Sequence, residues 1–346
     1  MTAGSTALAD YQLFKELHRD AYARMTKREA RLLREADVVC ALDLRRAVKG
    51  RANGCGNMLV SNFFSLMHGT LNEANMGYKD IGGVYNPGGY PLRTAGDVSA
   101  GSAYLAFGTE TGDTGFGGYA LSARNTALEG TIVAPSLLVS PSEGRARIAR
   151  VTAGTVYEVG IYQSVNDTSG RVQTAMWARL VPPSPIPTGV TVFYDVIFKP
   201  PFVHNTTRLF YGVLSNANVE GCEDVTGAVF AVRASADVNA GPVNKLFLGS
   251  GTAGPDHTVA VPVNPLLMTT TRFFNYEWGS YYDCTLVGGI KLDADMSISE
   301  VVLTFPAYDS AGAARDMPVA RWPVSPPVEK RAGEYASAFV VIYATA

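Results

Sequence analysis

The sequence predicts a mainly β protein in which an N-terminal helical region is followed by two tandem antiparallel β-sandwich domains of the jelly-roll-like kind. Three observations predict it. Apolar residues recur near the helical period only in the N-terminal part. The rest of the chain consists of short β-branched and aromatic runs bounded by turn residues. These runs follow one another in the same order in the two halves of that region. We expect a helical arm over 1–75, a first β-module over 76–200 and a second over 201–346.

The N-terminal region is predicted as helix over residues 7–48, because Leu13, Leu17, Ala21 and Met25 follow the helical spacing. Glycines and an asparagine at positions 50–54 would end this helix. A second, shorter helix is predicted over 55–72, with an apolar body expected in the core or at an interface.

The middle of the first helix is dense in charge. Residues 1–51 carry 11 Lys and Arg against 7 Asp and Glu, whereas the remainder carries 18 against 24. The pattern fits a solvated helix face, or an arm that docks on a neighbouring subunit or on nucleic acid. Because acids interleave with the bases, we expect only a weak nucleic-acid contact. The candidate interface residues here are Arg24, Lys27, Arg28, Arg31 and Arg34.

Strands are predicted wherever a β-branched or aromatic run is bounded by turn residues. Prolines clustered at 182–187 and at 318–327 are expected to end strands. The predicted strands are 146–151, 155–162, 190–198, 208–214, 228–234, 245–248, 297–305 and 336–343.

The second half of the chain follows the first at a nearly constant offset, which indicates a duplication. The offset is 141 residues from Gly108 to Gly249 and 145 from Phe198 to Tyr343. Between these points, Glu158 and Arg179 recur 142 residues later as Glu300 and Arg321. We expect each Glu to pair with the Arg of its own module across neighbouring strands, in a structural role.

The sequence offers no catalytic, cofactor or metal site, and we expect no enzyme. Four histidines lie far apart, the glycine-rich stretches lack a Walker lysine, and no G-x-S-x-G elbow occurs. Acidic pairs such as Asp293 with Asp295 lack the full EF-hand pattern and are expected to be solvated. Cysteine spacing leaves two alternatives open, which are free buried thiols and a Cys222–Cys284 bridge.

Aromatic residues cluster at one predicted strand-turn-strand segment. Core packing is the default for alternate rings of a strand, and exposure would instead indicate a sugar-binding or subunit-contact patch. The candidate interface residues are Phe273, Phe274, Tyr276 and Trp278.

The first module carries an ordered set of short motifs, which are Leu105–Thr109, Tyr119–Leu121, Glu158–Tyr162, Ala178–Arg179, Pro185–Gly189 and Val192–Phe198. This set resembles a pattern of virion structural proteins of tailed phages and archaeal viruses. The resemblance covers residues 55–198 well and 244–343 loosely, and it implies a structural role without catalytic residues, in either a capsid or a tail.

We therefore expect a virion structural protein, a capsid, coat or tail-associated subunit that acts by self-assembly with itself and with other virion proteins. Two alternatives are an extracellular filament or adhesin subunit and a carbohydrate-binding tail protein. The N-terminus shows no apolar signal segment and the chain no run of 18 apolar residues. We accordingly expect no membrane span, and a location in virions assembled in the host cytoplasm.

Overall fold

A computed structural model describes residues 11–53, 55–72, 76–89, 103–112, 115–166, 172–215, 217–232, 244–251, 254–277 and 281–345. The protein is mainly β, as predicted. The helices are α1 Tyr11–Leu17, α2 Arg19–Arg24, α3 Lys27–Glu35, α4 Leu44–Ala47, α5 Ser61–Asn72 and α6 His204–Ser215.

Twenty strands fill most of the remaining described chain. In the first half they are β1 Val38–Asp43, β2 Val48–Ala52, β3 Cys55–Leu59, β4 Met76–Lys79, β5 Tyr85–Gly89, β6 Tyr104–Gly108, β7 Glu129–Val139, β8 Gly144–Thr152, β9 Glu158–Asn166, β10 Val172–Leu180 and β11 Thr191–Phe198. In the second half they are β12 Val219–Glu223, β13 Val229–Val232, β14 Lys245–Gly249, β15 Leu266–Leu267, β16 Thr269–Glu277, β17 Tyr281–Lys291, β18 Met296–Tyr308, β19 Ala314–Lys330 and β20 Tyr335–Thr345.

The strands form three larger sheets and two hairpins. One eight-stranded sheet has the order β6-β9-β10-β3-β2-β11-β8-β7, and two four-stranded sheets have the orders β15-β14-β18-β19 and β1-β20-β17-β16. The hairpins are β4-β5 and β12-β13. All of these pairs are antiparallel except β1 with β20, which is parallel.

The helical prediction for residues 7–48 is confirmed over Tyr11–Glu35, where the chain forms three short helices, and residues 7–10 lie outside the described residues. Beyond Glu35 only α4 is helical, and the prediction is wrong for β1 and for the first residue of β2. The backbone of β1 instead hydrogen-bonds to β20, a strand that is distant in sequence. The helix predicted over 55–72 is also shorter than expected, since its first part is β3.

The strand predicted over 208–214 is wrong, because these residues belong to α6. Leu209, Phe210, Val213 and Leu214 are all buried, and their spacing places them on one helical face. The prolines at 182–187 follow the end of β10 as predicted, whereas those at 318–327 lie within β19, at an edge of its sheet.

Residues 55–198 (the first unit) and 201–345 (the second unit) repeat one set of contacts. Asn62 Nδ2 donates to the Lys79 carbonyl at 2.7 Å, and Asn205 Nδ2 donates to the Glu223 carbonyl at 2.9 Å. In return, each Asn side chain accepts the backbone N–H of the same partner. Strand pairing corresponds too, since β6-β9-β10 in the first unit has the same order as β14-β18-β19 in the second.

The two units share one hydrophobic core at their junction. Phe210 on α6 of the second unit packs against three aromatic side chains of the first, Phe63, Trp177 and Phe198. Within the second unit, His257 Nε2 hydrogen-bonds Thr207 Oγ1 at 2.8 Å, and across the junction its backbone N–H donates to the carbonyl of Pro141 of the first unit at 2.8 Å. The units are therefore joined by apolar packing and by this backbone hydrogen bond.

The N-terminal helices cover the outer face of the sheet that contains β20. Phe14, Ala21 and Leu33 are fully buried in a cluster that also contains residues of β1, β17 and β20. His18 Nδ1 lies 2.8 Å from the hydroxyl of Tyr343 on β20. The helices are thus packed on their own chain.

Cys40, Cys222 and Cys284 are buried free thiols, so the alternative of a Cys222–Cys284 bridge is wrong. Burial raises the pKa of Cys222 to about 12, which keeps its thiol protonated and unreactive.

Candidate functional site: buried ion pairs and exposed surfaces

In the first unit, Glu158 and Arg179 form a buried ion pair across β9 and β10. Glu158 is fully buried, and its second oxygen accepts the backbone N–H of Ser122 at 2.8 Å. The guanidinium also donates to the carbonyl of Gly112. Each charge therefore has both an ionic partner and backbone hydrogen bonds, as a buried ion pair requires.

The second unit contains the equivalent pair, Glu300 on β18 and Arg321 on β19. Glu300 Oε1 accepts the backbone N–H groups of Gly251 at 3.1 Å and of Val263 at 2.8 Å. Arg321 also donates to the carbonyl of Gly254 at 3.4 Å. Both expected ion pairs are present, and both are closed to solvent, so neither offers a carboxylate to a substrate.

A glycine lies directly beside each pair, at Gly108 and Gly249. These residues are paired in register with Glu158 and Glu300 on the neighbouring strands. A Cβ atom at Gly108 would come within 2.9 Å of the carboxylate, and one at Gly249 would overlap Glu300. Glycine is therefore required by the space that the carboxylates occupy.

An aspartate closes the tip of the hairpin in each unit. Asp80 Oδ1 accepts two backbone N–H groups at 2.9 Å, and Asp224 Oδ1 accepts two at 2.9 and 3.1 Å. Gly83 and Gly227 adopt φ values of 82° and 84° at the same place in the two turns. Sequence reasoning missed the turn role of these residues, although the offset of 144 between the two aspartates could have revealed it.

Exposed apolar side chains surround both hairpin tips. The first-unit patch consists of Ile81, Val84, Tyr85 and Tyr119, which are 38–61% exposed. The second-unit patch consists of the exposed residues Ala228 and Val229 and of the half-buried Val261, and Val229 is 68% exposed. In both patches the hairpin glycine lies against a loop residue, Gly83 against Tyr119 and Gly227 against Val261.

Strand β7 presents a second exposed apolar surface. It is an edge strand of the eight-stranded sheet, and Ile132 and Leu138 on it are 65% and 53% exposed. An apolar edge strand has unpaired backbone groups that can add a strand from another chain.

The predicted interface residues of the N-terminal region lie on one exposed surface. Arg24, Lys27, Arg28, Arg31 and Arg34 are all exposed. Arg24 lies over the ring of Tyr281 at 4.2 Å, and Arg28 lies over the ring of Phe273 at 5.1 Å. Phe273 is half-buried, the side chains of Phe274 and Tyr276 are not described, and Trp278 lies outside the described residues.

Beneath this surface lies a buried carboxyl group. Asp283 is 2% exposed, and Tyr281 donates its hydroxyl hydrogen bond to Oδ2. Burial raises the pKa of Asp283, the Tyr281 hydrogen bond and Arg24 lower it, and the Glu29 charge raises it, with the net result that the pKa is about 7. Burial has the opposite effect on the pKa of His18 and of His257, which it lowers to about 4 in each case.

Within the part of the chain that the structure describes, no group of three or more His, Cys, Asp or Glu side chains could hold a metal ion. None of the described helices is long and apolar enough to cross a membrane. Comparison with protein-family models, with curated proteins and with solved structures found no match for the chain.

Proposed function

We propose that this protein is a virion structural subunit that works by self-assembly, built from two tandem β-sandwich modules of the jelly-roll-like kind. The virion assignment rests on the resemblance carried by residues 55–198. Self-assembly is supported by the structure, in which the two units carry exposed apolar patches at equivalent hairpins.

The hairpin patches carry this proposal. A solvent-exposed apolar group is common singly, but a contiguous set rimmed by polar residues marks an interaction site. Here exposed apolar residues occupy corresponding positions of the two hairpins, Val84 and Tyr85 in one unit and Ala228 and Val229 in the other. The hairpins also share the same turn hydrogen bonds. Two equivalent surfaces on one chain suit repeated contacts between identical subunits.

Charge favours contact between unlike patches. Lys79 lies beside the first-unit patch, with its ammonium 5.6 Å from the centre of the Tyr119 ring, and Glu223 occupies the corresponding position in the second unit. Like charges repel when two equivalent patches meet, whereas the first-unit patch of one copy and the second-unit patch of another are complementary. The occupant of each patch is therefore a second copy of this chain.

The test is the oligomeric state of purified protein by sedimentation velocity, for the wild type and for the double variant Val84→Lys with Val229→Lys. Both side chains are more than half exposed, so the variant should fold, which circular dichroism can check. We expect the wild type to sediment as an oligomer at micromolar concentrations and the double variant as a monomer. A lysine in either patch adds an ammonium that would have to be desolvated in the contact.

The matched control is Val181→Lys, which changes an exposed valine just beyond the far end of β10 from the first hairpin. At about 3.3 Å per residue, this position is some 20 Å from the hairpin-contacting residue Ala175. The control should keep the wild-type oligomer. A monomeric wild type, or a double variant that sediments like the wild type, would refute assembly through these patches.

The two alternatives predict other outcomes. A carbohydrate-binding tail protein would bind glycans through the same exposed aromatic residues, Tyr85 and Tyr119, and a glycan-array screen would detect it. An extracellular filament or adhesin subunit would carry a processed N-terminus in its native source, which mass spectrometry of the native protein would show.

A further inference from the structure

The N-terminal helices form a fixed platform. Phe14, Ala21 and Leu33 are buried against the β1-β20-β17 face, and His18 is hydrogen-bonded to Tyr343. Thr26 begins α3 with a capping box in which its hydroxyl oxygen accepts the Glu29 backbone N–H at 3.2 Å. The outward face of α3 therefore has one orientation relative to the rest of the chain.

This arrangement separates the interleaved acids from the bases. Glu29 is only 5% exposed, because its carboxylate accepts the backbone N–H and the hydroxyl hydrogen bond of Thr26 at the start of the helix. Glu35 alone among the acids of α3 is exposed, and it lies 3.7 Å from Arg31. The exposed charges of α3 are thus four cations against one anion.

The cations form a row along the helix. Lys27, Arg31 and Arg34 follow each other at intervals of four and three residues, which places successive Cβ atoms about 5–6 Å apart. Arg24 and Arg28 extend the row toward the sheet, where the rings of Tyr281 and Phe273 support their guanidinium groups. We refer to these five residues as the basic row.

We propose that the basic row binds the phosphate backbone of nucleic acid, so that this face of the subunit is the one that meets the genome. An exposed row of cations on a rigid element matches a polymer with a charge at every repeat. A membrane surface fits less well, because an interfacial helix needs large apolar residues that can enter the lipid. The uncharged residues of α3 are half-buried or buried against the chain, and they are Ala30, Leu32 and Leu33.

This inference deepens the proposed function by assigning a partner to one face. Binding can be measured by fluorescence anisotropy with a labelled single-stranded oligonucleotide, a labelled duplex and labelled poly-glutamate, each over a range of salt concentrations. The test variant is Lys27→Gln with Arg31→Gln and Arg34→Gln, which leaves the two ring-supported arginines in place. Its matched control removes three exposed cations elsewhere, by Lys49→Gln, Arg51→Gln and Lys199→Gln.

We expect the wild type and the control to bind both nucleic acids with similar affinity at low salt. The test variant should bind at least about tenfold more weakly, and the slope of log affinity against log salt should fall by about 2–3 for duplex, since each lost phosphate contact contributes about 0.9. Wild type without nucleic-acid affinity, a control weakened as much as the test variant, or equally tight binding of poly-glutamate would overturn the proposal.

The result is distinguishable from failure of the proposed assembly. A monomeric wild type that still binds nucleic acid through the basic row would refute self-assembly and retain this inference. An oligomeric wild type whose test variant binds nucleic acid as tightly as the wild type would refute this inference and retain self-assembly.

Discussion

Removing one member of the Glu300–Arg321 pair should destabilise the protein strongly, and removing both should cost much less than the sum. Glu300→Met leaves a buried guanidinium and two backbone N–H groups, those of Gly251 and Val263, without their acceptor. An uncompensated buried charge costs about 3–5 kcal/mol, and each orphaned donor adds about 1–3 kcal/mol. We therefore expect a loss of at least about 5 kcal/mol in the free energy of unfolding.

Arg321→Met should cost about 3–5 kcal/mol, because the carboxylate keeps two backbone donors but loses its counter-charge. In the double variant no buried charge is left, and the remaining cost comes mainly from the two N–H groups. We expect the double variant to be at least about 3 kcal/mol more stable than additivity predicts. Glu300→Gln and Arg321→Lys provide milder substitutions if a methionine variant does not fold.

The assay is urea unfolding followed by tryptophan fluorescence. Trp322 adjoins Arg321 and Trp177 lies two residues before Arg179, and both indoles are fully buried. The control is Glu35→Gln, which breaks an exposed ion pair and should cost less than about 1 kcal/mol. Additive effects at Glu300 and Arg321, or single variants as mild as the control, would refute this reasoning.

Two further predictions concern the buried ion pairs, and two concern buried titratable groups elsewhere in the chain. A double-mutant cycle at Glu158 and Arg179, measured in the same assay, should give a coupling energy of the same sign and similar size as the cycle at Glu300 and Arg321. A coupling energy near zero would contradict the equivalence of the units. Gly249→Ala should lower the free energy of unfolding by about 1–3 kcal/mol, because its methyl group overlaps Glu300, and a neutral effect would show that the strands can separate. The raised pKa of Asp283 means that the folded state takes up this proton more readily than the unfolded state, so its contribution to stability is greatest below pH 4 and is lost as the pH rises through about 7. Asp283→Asn should therefore flatten the dependence of the unfolding free energy on pH between 4 and 8, and an unchanged slope would contradict the assignment. The lowered pKa of His257 has the opposite consequence, so its contribution to the free energy of unfolding is present above about pH 6.5 and is lost as the pH falls toward 4. A variant without this imidazole should therefore lose that part of the protein's acid sensitivity, measured by urea unfolding at several pH values.

Sequence spacing predicted the paired residues well because both units place them on adjacent strands. Arg179 and Arg321 each contact a glycine carbonyl 67 residues earlier in the chain, at Gly112 and Gly254. The offset between the two halves of the sequence is therefore also the offset between equivalent contacts in the two units. It did not reveal Asn62 and Asn205, because single polar residues in short helices give no periodic signal.

The remaining errors have physical causes. The apolar run of β1 has no alternation that separates a buried strand from a buried helix, and its partner strand begins 297 residues after it. The segment that became α6 is rich in β-branched and aromatic residues, yet tertiary packing around Phe210 overrides that propensity. The charge pattern around Glu29 did not show that this carboxylate turns inward, and the signal that could have shown it is the capping-box spacing from Thr26 to Glu29.

The central claim, that this chain is a self-assembling structural subunit, is tested most directly by negative-stain electron microscopy of the purified protein. Regular shells, tubes or rings, absent in the Val84→Lys with Val229→Lys variant and retained in Val181→Lys, are the predicted result. Monodisperse single subunits at every concentration, for the wild type as for the double variant, would contradict the claim.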